Sequence, residues 1–561
     1  MSGTTVRPAA EPAGLARGRA RRGWPPCTPV AAVIAAAAAL ALGLRAYQIA
    51  QPGALLGVAW YDDGVYFASA LRLTQGAVPY RDFFFAQPPG ITLLMTPAAL
   101  AAKATGTAGG MAIARILTLL ASTACVILGG LLVRHRGLLA VSVTCGLLAV
   151  YPASVGDSRT IFLEPWVALF CLAAALAVFD GDRLASGRRL AWGGVAFGFA
   201  GAVESWAIAP VLVVVALALP RPRRAAAFAG GVAAGFCVPV LPFALLAPRR
   251  FYESVVVAQL VRYRQVRVPV WVRLQDMTGL EYLARPSHLL LVLATVVVAG
   301  FAAVAVVSAW MITRRPPPPL EWFGVATAAL VALAFMWPPG FFFHFSGFLA
   351  PFLALAIALP GARLAAVLDA ARPTAGRRGA RHPLQWTAAA LAGLAIAVMA
   401  VIQARAETGA APRLGLTAIA AARRVIPAGA CVLTDQVSFT IAADRFDSGV
   451  PGCPLMIDPL GTDYALSPGR DGTQGAGRIP AVAVIMRDAF AHAQYVWLAG
   501  GYNRRRIAWT PALHSYFDAA FARVLTDGKG DALYVRKGPR SRRPTPARPA
   551  TPARGESGPT R

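Results

Sequence analysis

Long uncharged apolar runs alternate with short arginine-rich segments over residues 28–404. An apolar run of about 20 residues crosses a bilayer as a helix, and soluble chains rarely contain one. When each run is assigned a helix and the short basic loops are placed in the cytoplasm, the pattern predicts about eleven spans. The N-terminus then lies inside and the C-terminus outside. The sequence therefore predicts an α-helical polytopic membrane protein in the cell membrane.

The stretch 191–219 departs from this regular alternation. It begins and ends at basic loops, so a single span would reverse the orientation of everything after it. Two short, broken spans that meet near Glu204, Ser205 and Trp206 restore the orientation. Such interruptions are tolerated where the turn is buried in protein or lines a wet cavity.

The polar segments divide the chain into four parts. We expect a basic cytoplasmic N-terminus at 1–27, a transmembrane domain at 28–404, an extracytoplasmic domain at 405–538 and a disordered basic tail at 539–561. Within the transmembrane domain, 51–111 form a long first extracytoplasmic loop. The C-terminal domain reads as mixed α/β: residues 416–425 are helix-like, and the strand-like segments are 431–434, 495–498 and 532–535.

Composition supports the membrane assignment and limits the partners. Hydrophobic residues make up 57% of the chain and charged residues 14%, too little polar surface for a soluble protein of this length. The net charge of +28 comes almost entirely from arginine. These arginines lie between apolar spans and form no nucleic-acid-binding motif, so the bilayer is the expected partner and nucleic acid is not. The abundance of Arg, Ala, Gly and Pro is typical of a high-GC genome, such as that of an actinobacterium.

Two cysteines lie in the polar C-terminal part, Cys431 and Cys453. A disulfide between them and two free thiols both fit the sequence, and the oxidising environment outside the cytoplasm would permit the disulfide.

The segment after the first helix carries the most informative polar residues. Asp62 and Asp63 come directly after the span and are followed by Pro79-Tyr80-Arg81-Asp82 and by Gln87-Pro-Pro-Gly. One interpretation is structural, since Asp62 can cap an amphipathic helix predicted at 64–75. The other is chemical, because paired carboxylates supply a general base.

This order of residues resembles the first extracytoplasmic loop of GT-C-type membrane glycosyltransferases. The closest resemblance is to glycosyltransferase family 39, which includes protein O-mannosyltransferases and lipid A aminoarabinose transferases. The segment from Ser158 to Pro165 resembles that family's second acidic loop, and the one from Phe342 to Pro351 resembles an aromatic–histidine segment of its bacterial members. Asp435 in the C-terminal domain is also typical of them.

The resemblance implies inverting transfer of a hexosyl or pentosyl residue from a polyprenyl-phosphate donor to a glycan, lipid or protein in the cell envelope. It implies that Asp62 is the catalytic base, with Asp63 as the acid beside it. Many relatives have Asp-Glu at this place, which leaves the role of Asp63 open. Asp82, Gln87 and Glu164 are expected to bind substrate. Asp63 and Glu164 are also candidate ligands for a divalent cation, Mg or Mn.

Arg159 is also expected to bind substrate. Cations for the donor phosphate are expected from Arg262 and Arg264, and His344 could hydrogen-bond the phosphate or another polar ligand. The last two arginines lie in the loop 248–286, which is rich in Arg although the topology places it outside. A lipid-phosphate site would explain this, since guanidinium groups match phosphate oxygens. Contact with lipid headgroups and an error in topology are the alternatives. For His344, an interfacial histidine without a role is the alternative.

Two other functions stay open at this stage. A lipid-linked-sugar flippase or transporter would also have many spans and broken helices, although the long first loop, the C-terminal domain and the lack of an evident inverted repeat argue against it. An inactive scaffold that binds an envelope component is the second alternative.

Overall fold

The computed structural model describes residues 29–261, 267–280, 286–371, 383–409, 412–466, 476–500 and 506–538. Two expectations, the basic N-terminus at 1–27 and the disordered tail at 539–561, therefore lie outside the described residues. The rest consists of a bundle of apolar helices, which ends at Glu407, and a small α/β domain, which begins near Leu414.

The bundle and its connections contain sixteen described helices in chain order. They are α1 Pro29–Ile49, α2 Asp62–Thr74, α3 Gly90–Val133, α4 Leu138–Val150, α5 Pro152–Asp157, α6 Glu164–Val178, α7 Arg188–Val203, α8 Ile208–Ala218, α9 Pro222–Leu246, α10 Pro248–Phe251, α11 Ala258–Val261, α12 Val270–Met277, α13 His288–Thr313, α14 Pro319–Met336, α15 Phe345–Ala371 and α16 Pro383–Glu407. Seven of the described helices are long and apolar enough to cross a membrane, and three shorter apolar ones include α4 and α6. With α7 they make eleven apolar segments, which agrees with the predicted number.

The first spanning helix after α1 begins earlier than predicted. Residues 90–111, expected in a polar loop, belong to α3, and an interruption at Gly106 divides this helix into two parts. Gly106 has φ +78, a conformation that glycine adopts without steric cost. The second part of α3 begins there, and the Asp444 carboxylate accepts a 2.8 Å hydrogen bond from the Ala108 amide. The C-terminal domain thus caps the N-terminus of this half-helix.

The interruption predicted near Glu204 is present. α7 ends at Val203, and a short 3₁₀ turn over Ser205–Ala207 leads into α8. Glu204 Oε1 accepts from the Ser205 amide and from its hydroxyl, both at 3.1 Å. The Glu204 side chain therefore satisfies a backbone donor that the break exposes.

The C-terminal domain is built on a four-stranded sheet. Its elements are α17 Leu416–Val425, β3 Val432–Thr434, α18 Val437–Ala442, α19 Pro459–Leu466, α20 Pro480–His492, β4 Tyr495–Leu498, α21 Pro511–Ala520, β5 Phe521–Thr526 and β6 Ala532–Arg536; the two strands before β3, Phe179–Asp180 (β1) and Arg183–Leu184 (β2), form a separate hairpin in the bundle. The strand order is β3-β4-β6-β5, with β3 and β4 parallel and the other pairs antiparallel. The three predicted strands are confirmed. The edge strand β5 was not predicted, because its central residues are exposed and lack apolar alternation.

A disulfide joins Cys431 and Cys453. It lies between the strand β3 and the segment that leads to α19. The end of the bundle that contacts this domain carries the N-termini of α2, α6 and α15, and we call it the domain end.

Candidate active site

The helix α2 begins at Asp62, and both acids lie in its first turn. Negative charge is favourable there because the amide groups at a helix N-terminus are unpaired. The cap position belongs to Tyr61, whose side chain makes no capping hydrogen bond, so Asp62 is the first helical residue and not the cap residue that the sequence allowed. Asp62 is partly exposed, whereas Asp63 has no exposed surface. The two adjacent carboxylates therefore have different surroundings.

Asp63 is held by three protein groups. Its Oδ2 accepts from Arg115 Nη2 and from Thr160 Oγ1, both at 2.7 Å, and its Oδ1 accepts from Ser438 Oγ at 3.2 Å. The ion pair with Arg115 is almost completely buried. Both oxygens of Asp63 thus accept hydrogen bonds from protein donors, and its role as a metal ligand stays a prediction. The described residues also contain no group of three His, Cys, Asp or Glu that could hold a metal.

Glu164 and His344 form the second polar pair. Their sequence positions are far apart, but α6 begins at Glu164 and α15 begins directly after His344, which brings both to the domain end. His344 Nδ1 lies 2.7 Å from Glu164 Oε1, and both residues are buried. The imidazole also stacks on Phe162, with ring centroids 4.5 Å apart. These contacts fix the ring plane and direct its Nδ1–H to the carboxylate.

The charges around His344 set its protonation. Burial lowers the pKa of His344, but the charge and the hydrogen bond of Glu164 raise it, and the charges of Asp62 and Glu204 add to the effect. The net pKa of His344 is raised above its usual value. The charge of Asp62 is thus among those that raise the pKa of His344, which places both residues in the same region of the domain end.

Three aromatic side chains pack together beside these charged residues. Trp60, Phe162 and Phe343 pack against one another, with centroid distances of 5.1 Å for Trp60–Phe343 and 6.2 Å for Trp60–Phe162. Trp60 keeps 36% of its surface exposed. The Arg159 guanidinium lies 5.7 Å from the Trp60 ring centroid and 3.5 Å from Glu407. An exposed aromatic face and a cation thus lie next to the segment that carries Asp62.

A small cavity lies behind Glu164. It has a volume of about 10 Å³ and is lined by Arg45, Ser122, Asp157 and Glu164, among others. Gly347 is required here, since a Cβ at this position would lie 1.8 Å from Asp157 Oδ2. Glu164 Oε2 has no hydrogen-bond partner among the described residues.

Two predicted site residues lie in the loop before α3. Asp82 is bound to Arg81 and accepts from the Val78 amide at 2.7 Å. Gln87 is buried, its carbonyl accepts from the Tyr80 hydroxyl at 2.6 Å, and its Oε1 has no partner in the described part of the chain. None of these hydrogen bonds connects either residue to Asp62, so their roles in substrate binding stay predictions.

Arg262 and Arg264 lie outside the described residues, and their predicted role stays open. The described arginines of the same loop have structural partners. Arg250 donates to the Arg81 carbonyl at 2.7 Å, and Arg273 donates to the carbonyls of Phe335 and Pro339 at 2.5 and 2.6 Å. Arg273 thereby fixes the end of α14 and the loop that leads to His344.

Three residues that support the acids were not predicted. Arg115 stands inside an apolar helix, and a charged residue in such a helix is a signal of function that the sequence does contain. Thr160 and Ser438 have no such signal, because a single hydroxyl in a loop or helix start is common. Their contacts with Asp63 depend on the folding of distant segments onto α2.

No known family model matches this sequence, and no curated protein matches it. Solved structures do match. ArnT from Cupriavidus metallidurans bound to undecaprenyl phosphate has a TM-score of 0.53 and 13% sequence identity, and the match covers 90% of this chain and 97% of that one. The same protein in the apo state gives a TM-score of 0.54 at 13% identity, over 90% and 98% of the two chains. The archaeal oligosaccharyltransferase AglB from Archaeoglobus fulgidus, in complex with an inhibitory peptide and a dolichol-phosphate, has a TM-score of 0.48 and 14% sequence identity. The match covers 91% of this chain and 74% of that one. The similarity to ArnT extends along nearly the whole of both chains, and this chain therefore has the GT-C fold of a multi-pass membrane protein.

Proposed function

We propose that this protein is a membrane glycosyltransferase that moves a sugar from a polyprenyl-phosphate donor to an acceptor of the cell envelope, on the extracytoplasmic face. One observation carries the proposal: the partly exposed Asp62 and the hydrogen-bonded His344–Glu164 pair lie in the same region of the domain end of a GT-C membrane fold. A carboxylate that can act as base thus lies near a group that can carry positive charge.

The fold supports the proposed donor. ArnT, which shares it, was solved bound to undecaprenyl phosphate. In this chain a phosphate needs cations, and Arg159 and the His344 imidazolium supply them next to Asp62. Arg262 and Arg264 are proposed as further phosphate ligands. The guanidinium fork of Arg159 matches two phosphate oxygens.

The proposed reaction is a single displacement. The Asp62 carboxylate takes the proton of the acceptor nucleophile as the acceptor oxygen attacks the anomeric carbon. The bond from that carbon to the phosphate oxygen breaks, and the polyprenyl phosphate leaves with the electron pair. His344 and Arg159 stabilise the negative charge that develops on the phosphate. The displacement inverts the anomeric centre, and the products are the glycosylated acceptor, the polyprenyl phosphate and a proton held by Asp62.

Trp60 is proposed to hold the sugar, since its partly exposed ring lies two residues before Asp62 in the sequence and the Arg159 guanidinium lies 5.7 Å from its centroid. We expect Trp60→Ala to lower kcat/KM by about tenfold, the loss that corresponds to about 1.4 kcal/mol of aromatic contact. Trp60→Phe should retain most activity, because it keeps a ring against Phe343. Steady-state kinetics with varied donor measures both variants. Equal activity of Trp60→Ala and the wild type would remove Trp60 from the site.

The transfer activity is predicted to fall at alkaline pH because His344 loses its proton there. Because the pKa of His344 is raised on folding, the protonated imidazole contributes to the stability of the folded protein. This contribution is complete at pH below the unfolded pKa of about 6.5 and is lost as the pH rises through the folded-state pKa. Activity that needs the imidazolium should fall over the same interval. Glu164→Gln removes the charge that raises the pKa, so the alkaline limb of kcat/KM should move to lower pH. An unmoved limb in Glu164→Gln would show that His344 does not set it.

The proposed orientation places the N-terminus in the cytoplasm and the domain end outside. The Cys431–Cys453 disulfide supports it, because disulfides persist in oxidising compartments. A reporter enzyme that is active only outside the cytoplasm, fused after residue 538, tests the orientation directly. If a reporter that is active only in the cytoplasm works at the same position, the proposed orientation is wrong.

Transfer and transport can be separated in one reconstituted system. The purified protein is placed in vesicles with a fluorescent polyprenyl-phosphate sugar and an extract of envelope acceptors. Transfer should consume the donor in the accessible leaflet, and the Asp62→Asn variant should not do so. Movement of intact donor between leaflets without any transfer would favour the flippase instead.

A further inference from the structure

The disulfide encloses a loop, Cys431–Cys453, that contacts the segment of Asp62 directly. We call it the disulfide loop; its two cysteines are 22 residues apart, and it includes β3 and α18. Gln436 Nε2 and Ser438 Oγ both donate to the Trp60 carbonyl, at 3.1 and 3.0 Å. Ser438 Oγ also lies 3.2 Å from Asp63 Oδ1, so its single hydroxyl hydrogen is shared between the two acceptors. Trp60 and Asp63, which lie before and after Asp62, are thus hydrogen-bonded to the disulfide loop.

The same loop holds the other end of α2 and the beginning of the spanning half of α3. The Arg72 guanidinium lies 4.3 Å from the Phe446 ring centroid, and Gln75 Nε2 donates to Asp447 at 2.5 Å. Asp444 caps the half-helix at Ala108. The disulfide loop therefore contacts both ends of α2, and its hydrogen bond to α3 also connects it to the bundle.

Contact between α2 and α18 is close enough to exclude a side chain. A Cβ on Gly64 would lie 2.4 Å from Ser438 Oγ and 2.5 Å from the Ser438 backbone nitrogen. The first turn of α2 therefore cannot shift toward α18, and glycine at position 64 permits the hydrogen bonds from Ser438.

A second anchor follows the loop in sequence. The Tyr61 hydroxyl donates to Asp458 Oδ1 at 2.6 Å, five residues after Cys453, and the Gly461 amide donates to the same oxygen at 2.7 Å. Trp60, Tyr61 and Asp63 are all tied to the C-terminal domain, and Asp62 lies among them. The position of the Asp62 backbone is thus set from the C-terminal domain as well as from the bundle.

We propose that the disulfide loop is a positioning element of the active site, with Ser438 as a positioning residue for Asp62, and that sugar transfer requires the intact Cys431–Cys453 disulfide. Removing the cross-link frees the loop that holds α2, because the constraint on the ends of β3 and of the following segment is lost. Asp62 then loses its alignment with the acceptor. This inference rests on the proposed function for its kinetic readout and on the geometry of α2 for its structural one.

The test uses the full-length protein in vesicles, in three forms: wild type, wild type treated with a phosphine reductant, and the double variant Cys431→Ser/Cys453→Ser. Reduction and the double variant should each lower kcat by about 10²-fold, the effect of a displacement of about 1 Å, with an unchanged KM for the polyprenyl-phosphate sugar. The double variant should not respond to the reductant. Hydrogen exchange of the amides 60–66 should become faster in both, while exchange in α13 stays unchanged.

A glycine substitution tests the same contact without touching the cysteines. Gly64→Ala inserts a methyl group between α2 and α18 and should reproduce the loss of kcat and the faster exchange at 60–66. Gly230→Ala, in α9, is the matched control, since a Cβ there meets nothing within 4 Å. It should retain the wild-type kcat.

Unchanged kcat and unchanged exchange at 60–66 after reduction would overturn the inference. Loss of protection throughout the bundle would also overturn it, because the disulfide would then serve global stability. If the wild type transfers no sugar at all, the proposed function fails, and the exchange rates at 60–66 still decide whether the loop positions α2.

Discussion

Asp62→Asn is expected to lower kcat by about 10²–10⁴-fold, the usual contribution of a general base. The amide keeps the size of the carboxylate but cannot take the acceptor proton at neutral pH. Asp62 is partly exposed in the first turn of α2, so the fold should tolerate an amide of the same shape. Steady-state transfer from a polyprenyl-phosphate sugar measures the loss, and thermal unfolding in detergent should show an unchanged melting temperature.

The matched control for this variant is Asp488→Asn. Asp488 is an exposed carboxylate of α20 that contacts only His492 of its own helix among the described ion pairs. Its replacement should leave kcat unaltered. Full activity of Asp62→Asn would remove the base from the mechanism, whereas a parallel loss of melting temperature would assign the residue a structural role.

Asp63→Asn, unlike Asp62→Asn, is expected to cause a large loss of folding stability. The variant leaves the Arg115 guanidinium buried without its counter-charge, and breaking a buried pair in this way costs about 3–5 kcal/mol. Arg115→Met should cost a similar amount, because it also removes the donor to the carbonyls of Leu55 and Gly57. The melting temperature and the urea midpoint of the detergent-solubilised protein measure both.

A double variant identifies the cause. Asp63→Asn with Arg115→Met removes both charges, so the two losses should be less than additive. Asp180→Asn is the control with the same chemistry at an exposed pair, where Arg189 is the partner, and it should change stability little. Additive losses in the double variant would mean that the ion pair does not stabilise the fold.

These two predictions separate carboxylates that are adjacent in sequence. The sequence indicated that the pair Asp62–Asp63 is important, and the resemblance placed the base at Asp62. It could not separate the environments, since the partners Arg115, Thr160 and Ser438 come from three distant segments. Ser438 reaches Asp63 only because Gly64 admits α18 against α2.

The arrangement of spans was largely predictable, because each depends on a local run of apolar residues. The break at Glu204 followed from orientation alone. The early start of α3 did not, since its first part is packed beside α2, and Asp444, from a distant part of the chain, caps only the second part at Ala108. The edge strand β5 was missed for a related reason: pairing with β6, and not its own pattern, makes it a strand.

The pairing of Glu164 with His344 shows the same limit. Both were predicted as substrate-binding residues on one face, and both lie at the domain end. The sequence did not indicate that they bond to each other. Their 2.7 Å contact requires that α6 and α15 begin at the same level of the bundle, which Gly347 permits by its close approach to Asp157.

The central claim, that Asp62 is the base of a polyprenyl-phosphate-dependent glycosyltransferase, is tested most directly by lipid and glycan profiling of a strain that lacks this protein. The account predicts an accumulated polyprenyl-phosphate sugar and an envelope component that lacks the same sugar. The wild-type gene should correct both, and Asp62→Asn, produced at equal amounts, should correct neither. Full correction by Asp62→Asn, or a deletion strain with unchanged lipid-linked sugars and envelope glycans, would contradict it.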